Sequence, residues 1–196
     1  DDAGIESQIV SGTYSYCRAL GIEKDTADHL YHRFGSTVEG LRNTIWKDLS
    51  GSDLQEKLEG FYRAVYLNVD PSSVLLPDMS IGSRSTSPTG YSHAFNEELK
   101  LTRLLLKSSP LPLALASNSP SWHVRKVLIA LGLAKLSGKA SVFTPDRLAS
   151  YPTKHRPKDF FFAATDNEYD NIRLSKYDFI SFLDDSYHNL QRVKEA

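Results

Sequence analysis

Apolar positions in the first third of the chain recur at helical spacing. Ile5, Ile9, Tyr16 and Leu20 fall on one face of a helix that Gly21 stops. Leu30, Tyr31 and Phe34 mark a second helix over 25–34, closed by Gly35. A short third piece follows over 38–46. A fourth, over 53–67, carries Leu54, Leu58, Phe61 and Val65 in a 4-3-4 spacing. Asp70-Pro71 and Leu76-Pro77-Asp78 then break the pattern. Residues 81–95, rich in Gly, Ser, Thr and Pro, read as a loop: either a solvated insertion or a docking arm.

From residue 96 the pattern alternates. Residues 97–107 read as a helix, and 111–116 (LPLALA) as a short buried strand. A helix over 119–131 has Ser119 as N-cap, Pro120 in the first turn and Gly132 at its stop. Residues 140–143 suit a strand and 158–165 the start of a helix. Residues 179–183 (FISFL) form a second buried apolar run that ends in Asp184-Asp185. This alternation predicts an α/β layer fold with a parallel sheet. Three regions follow: helical residues 1–70, a loop or insertion over 71–95, and an α/β core over 96–196.

Charge and cysteine usage narrow the function classes. Lys plus Arg number 23 and Asp plus Glu 24, so the formal charge is -1. No bulk basic footprint for nucleic acid is present, and Arg84, Arg103 and the basic run at 154–158 are scattered. One cysteine, Cys17, excludes an internal disulfide and a cysteine zinc cluster. It falls on the apolar side of the first helix and reads as core. A reducing intracellular compartment is expected, cytoplasm or mitochondrial matrix. No apolar run approaches the roughly 18 residues of a membrane span. The acidic start, Asp1-Asp2-Ala3-Gly4, resembles neither a signal nor a transit peptide.

Three features lie where open α/β sheets place ligands, just past the carboxyl ends of strands. Ser117-Asn118-Ser119 follows LPLALA and leads into a helix start, which suits phosphate binding and equally suits a capped turn. Asp184-Asp185-Ser186 follows FISFL. Two adjacent carboxylates there fit either a Mg²⁺ site or a solvated strand-end turn. The basic segment Lys154-His155-Arg156-Pro157-Lys158 would offset phosphate charge, or simply face solvent. His29 and His32 lack a partner ligand nearby in sequence, and no G-x-S-x-G, P-loop or G-x-G-x-x-G is present.

In order, strand-Ser-Asn, Lys, strand-Asp-Asp resembles the haloacid dehalogenase superfamily of phosphotransferases, in its pyrimidine 5'-nucleotidase-like branch. Gly4-Ile5-Glu6-Ser7-Gln8-Ile9 and residues 31–41 (YHRFGSTVEGL) are similar to that family's helical cap. The resemblance spans about residues 4–42 and 97–190. It implies a Rossmann-like core with a small all-helical cap that closes over the site. It also implies that Ser117, with Asn118, contacts the phosphoryl group, that Lys154 balances its charge, and that Asp184 and Asp185 hold Mg²⁺. His155 stands where the family has proline, so Lys158 rivals Lys154.

The family's nucleophile is an aspartate in an Asp-x-Asp motif after an apolar strand, central in the sheet. No such strand precedes Ile5, and no last strand follows the acidic pair. Strands without that neighbour would orphan buried N–H and C=O groups at about 1–3 kcal/mol each. Two functions therefore stand as expectations. One is a non-catalytic structural or interaction subunit of a larger assembly, with a protein partner or further segment completing the sheet. The other is a Mg²⁺-dependent phosphatase acting on a nucleotide monophosphate through an aspartyl-phosphate, with the nucleophile outside these residues. Neither a nucleic-acid partner nor a membrane span is expected.

Overall fold

Gly21 and Gly35 take left-handed backbone, φ 75° and 81°, a conformation that glycine adopts without Cβ strain. Each ends a helix where the apolar pattern stops. The computed structural model describes residues 4–71, 100–102, 104–106, 108, 114–135, 141–147, 191 and 194. Helix α1 is Ile5–Ala19, α2 Lys24–Phe34, α3 Thr37–Asn43 and α4 Gly51–Tyr66. The Ser36 side chain accepts the Glu39 N–H at 3.3 Å and caps α3.

Packing follows the apolar stripes. Cys17, Leu30, Leu41, Leu58, Phe61 and Val65 are buried in one cluster, with Ile9, Tyr16 and Leu54 against it. Two expected core positions differ. Leu20 ends α1 at its C-cap and is exposed, so Cys17 fills that face instead. Tyr31 is 54% exposed, because Leu30 takes the inward position of α2.

Helices α1 and α4 meet where α1 has no side chain. A Cβ on Gly12 would lie 2.9 Å from the Val65 carbonyl oxygen and 3.0 Å from its Cα. Alanine is intrinsically the better helix former by about 1 kcal/mol. Here the obstacle is backbone, which cannot rotate aside, and overpacking of this kind costs about 1–3 kcal/mol. Gly12→Ala is therefore expected to lower unfolding free energy by roughly 1–2 kcal/mol in urea titration. An unchanged or raised midpoint would contradict this packing.

Among the described residues, the second half carries a two-stranded parallel sheet. Strand β1, Ala114–Ala116, pairs with β2, Ser141–Phe143, in the register Ala114↔Ser141, Leu115↔Val142 and Ala116↔Phe143. Helix α5, Ser121–Ala130, lies between them in sequence, and a 3₁₀ turn, Pro145–Arg147, follows β2. A strand-helix-strand parallel unit needs such a crossover. Phe143 and Val142 are buried, and Leu128 and Leu133 form a small cluster under α5. The described residues are thus mostly helical with a small parallel sheet, compatible with an α/β fold.

The expectation of a buried β1 is corrected in its described part. Ala114 is exposed, and Leu115 and Ala116 are half-buried. The physical reason is pairing on one side: among the described residues, β2 is its single hydrogen-bonded neighbour. The described helical residues at 100–106 include Leu101, Leu104 and Leu105, all exposed. The expected loop at 81–95, helix at 158–165 and strand at 179–183 lie outside the described residues. No described helix is long and apolar enough to cross a membrane.

Candidate functional site

The turn after β1 is built by its own hydrogen bonds. The Ser117 N–H continues the ladder by donating to the Phe143 carbonyl at 3.0 Å. The Ser117 Oγ accepts the Ser119 N–H at 3.1 Å, closing a tight turn of the kind serine favours. Ser119 is not the N-cap of α5. Pro120, in extended backbone, holds that position and brings no side-chain acceptor. Asp146 supplies it from the 3₁₀ turn: the Ser121 N–H donates to Oδ1 at 2.7 Å, and the Ser121 hydroxyl to Oδ2 at 2.6 Å. A carboxylate thus already occupies the positive end of α5, where it is electrostatically favoured. Ser117 and Asn118 remain as the polar residues just past β1.

Helix α5 then docks this turn onto the helical half. The His123 ring lies 4.9 Å from that of Tyr66, and Trp122 packs against the helical core. Lys126 Nζ donates to the Leu67 carbonyl at 3.4 Å. Burial raises the pKa of the Tyr66 phenol, and the nearby Ser119 side chain partly offsets this. His123 is buried, and its Nδ1 has no hydrogen-bond partner among the described residues. Burial, and secondarily the Lys126 charge, depress its pKa from 6.5 to about 4.

That depression ties stability to pH. Above about pH 6.5, His123 is neutral both folded and unfolded. Between pH 6.5 and about 4 the unfolded chain binds a proton that the folded chain refuses, so stability falls as pH falls. The loss is on the order of 2–3 kcal/mol over that window. His123→Gln is expected to flatten this part of the stability–pH curve. An unchanged slope would show that another group sets it.

Docking by α5 encloses a cleft of about 430 Å³ between the helical half and the end of β1. Asn118 lines it from the sheet side, and Tyr14, Asp28, Tyr31 and His32 line it from α1 and α2. Phe61 and Tyr62 of α4 add apolar and aromatic wall. The Tyr14 hydroxyl donates to Asp28 Oδ1 at 2.5 Å. That bond, then burial, raises the Tyr14 pKa, so the phenol stays a neutral donor. Burial also holds the Tyr62 phenol neutral, well above its ordinary range. A concave, partly aromatic site with a few convergent polar groups suits a small ligand. A second groove of about 530 Å³ between α1 and α4 is lined by Ser7, Ser11, Ser15 and Asn68 and, among the described residues, by no charged group.

Of the residues singled out from sequence, Asn118 reaches the cleft, and Ser117 sits beside it in the turn. Lys154, His155, Lys158, Asp184 and Asp185 lie outside the described residues. Among the described residues, no three His, Cys, Asp or Glu side chains gather as a metal site, so His29 and His32 belong to none there. Cys17 is buried and its thiol pKa is raised by that burial, as a core residue requires. Tyr14, Asp28 and Asp146 were not legible as site residues. Each is an ordinary polar position in sequence, brought to its partner only by packing. Comparison with family models, curated proteins and solved structures finds no match to this chain.

Proposed function

We propose that this chain provides the cap and the phosphate-facing turn of a haloacid-dehalogenase-type site, and that it binds a nucleoside-monophosphate-class ester. The observation that carries this reading is the shared cleft: Asn118, two residues past β1, opens onto the same space as Tyr14, Asp28 and Tyr31 of the helices. The position just past a parallel strand is where α/β folds bind ligands, and a helical cap over it supplies specificity. Ser117 and Asn118 hold the phosphoryl oxygens in this reading, and Lys154 offsets their charge. Asp184 and Asp185 are the residues assigned to Mg²⁺, which when bound neutralises phosphate charge. The Rossmann-like core of the family is part of the same proposal.

The 196 residues contain no Asp-x-Asp pair. The nucleophilic aspartate therefore comes from a further segment or a partner chain, and these residues alone act as a non-catalytic binding subunit. Calorimetric titration of the purified chain with a nucleoside 5'-monophosphate and Mg²⁺ tests this. Saturable binding without phosphate release is expected. Absence of binding would overturn the ligand, and phosphate release would overturn the external nucleophile.

A purely structural role in an assembly is the second reading. The partly exposed β1, with its one described neighbour, and the exposed Leu101, Leu104 and Leu105 favour it. Here the chain would bind no ester and would need its partner for stability. A cooperatively unfolding monomer in light scattering and urea titration would count against that.

A further inference from the structure

The cleft is chemically lopsided. Two carboxylates, Glu6 and Asp28, line it from the cap side, and among the described residues no Lys or Arg does. Lys24 Nζ lies over the Tyr14 ring, 5.2 Å from its centroid, and offsets one of these two charges, so a phosphate is still disfavoured at that end relative to the strand end, at Ser117 and Asn118. The cap end must therefore meet the opposite pole of the ligand. Asp28 is well fixed for this. Its Oδ1 holds the Tyr14 hydroxyl at 2.5 Å, while its Oδ2 takes no hydrogen bond from a described residue. The half-exposed Tyr31 ring lines the same cleft, where a planar ring can stack on it.

We infer that the cap end of this cleft selects a ring that presents an amino donor, with Asp28 as the acceptor and Tyr14 as the positioning residue. The inference rests on the reading of the cleft as an ester site and narrows its ligand. An N–H donor facing Oδ2 gains a charge-assisted bond. A ring carbonyl in the same place faces a carboxylate and loses the water that solvated both. Sites built around one hydrogen-bonding group reject analogues that lack its complement more strongly than apolar pockets reject a missing methylene. Amino-bearing rings are thereby separated from their carbonyl counterparts.

Cytidine 5'-monophosphate and uridine 5'-monophosphate are the probes, since they exchange an amino group for a carbonyl at one ring position. Titrated calorimetrically into the full chain, the cytidine ester is expected to bind at least about tenfold tighter, equivalent to about 1.4 kcal/mol. Asp28→Asn, whose amide offers a donor as well as an acceptor, is expected to erase or reverse the preference. Tyr14→Phe, which frees the carboxylate and leaves the ring in place, is expected to shrink it, with circular dichroism showing an unaltered fold. Equal affinity for both esters, unmoved by Asp28→Asn, would overturn the inference and leave the ester site standing. Binding of neither would overturn the ester site itself, and this inference with it.

Discussion

Replacing Phe143 with alanine is expected to lower unfolding free energy by about 3–5 kcal/mol, the range for deleting a fully buried aromatic ring. Phe143 is 1% exposed and is among the largest fully buried side chains described. It ends β2, and its carbonyl accepts the Ser117 N–H. Removing the ring leaves a cavity at the end of β2, and its neighbours relax into it only in part. A folded domain holds about 5–15 kcal/mol in all, so the variant stands near the edge of stability. Urea titration at constant slope reads the loss directly. A loss under about 1 kcal/mol would place the core of the α/β half elsewhere.

The counterpart in the helical half is Leu41→Ala, expected to lose about 2–5 kcal/mol. Leu41 is wholly buried in α3 and packs in the cluster with Leu30 and Leu58. Its neighbour Gly40 is closed against α2: a Cβ there would lie 2.6 Å from the Leu30 Cβ. The local backbone has little room to collapse, which places the effect toward the upper end. The two substitutions also report coupling between the halves. Docking through Tyr66, Trp122 and His123 joins them, so both variants should unfold in one transition. Two separated transitions would show that this docking is weak.

The helical half was legible in sequence because its signals are local. Stop glycines and apolar residues at three and four spacing act within a turn or two of chain. The ends of α1 and α2 fall within a residue of expectation for that reason. The strand-helix-strand unit was legible in order, with β1 and β2 at the end of their apolar runs. What escaped depends on distant partners. The helix start at 119–121 was misplaced because its cap, Asp146, is 25 residues away. Tyr14 and Asp28 are 14 residues apart on different helices. In sequence, each looks like a polar position facing water. Burial of Ala114–Ala116 was overestimated, since an apolar strand is buried only when both its edges and faces are covered, and composition alone does not say what covers them.

The most direct test of the cleft is its location by chemical-shift mapping. With ¹⁵N-labelled full chain, addition of cytidine 5'-monophosphate is expected to move the amides of Ser117 and Asn118 together with those of Tyr14, Asp28 and Tyr31, saturating with one dissociation constant. Shifts confined to the α1–α4 groove around Ser11 and Asn68, or movement of the helical residues with Ser117 and Asn118 unmoved, would contradict a phosphate ester lying between cap and strand end.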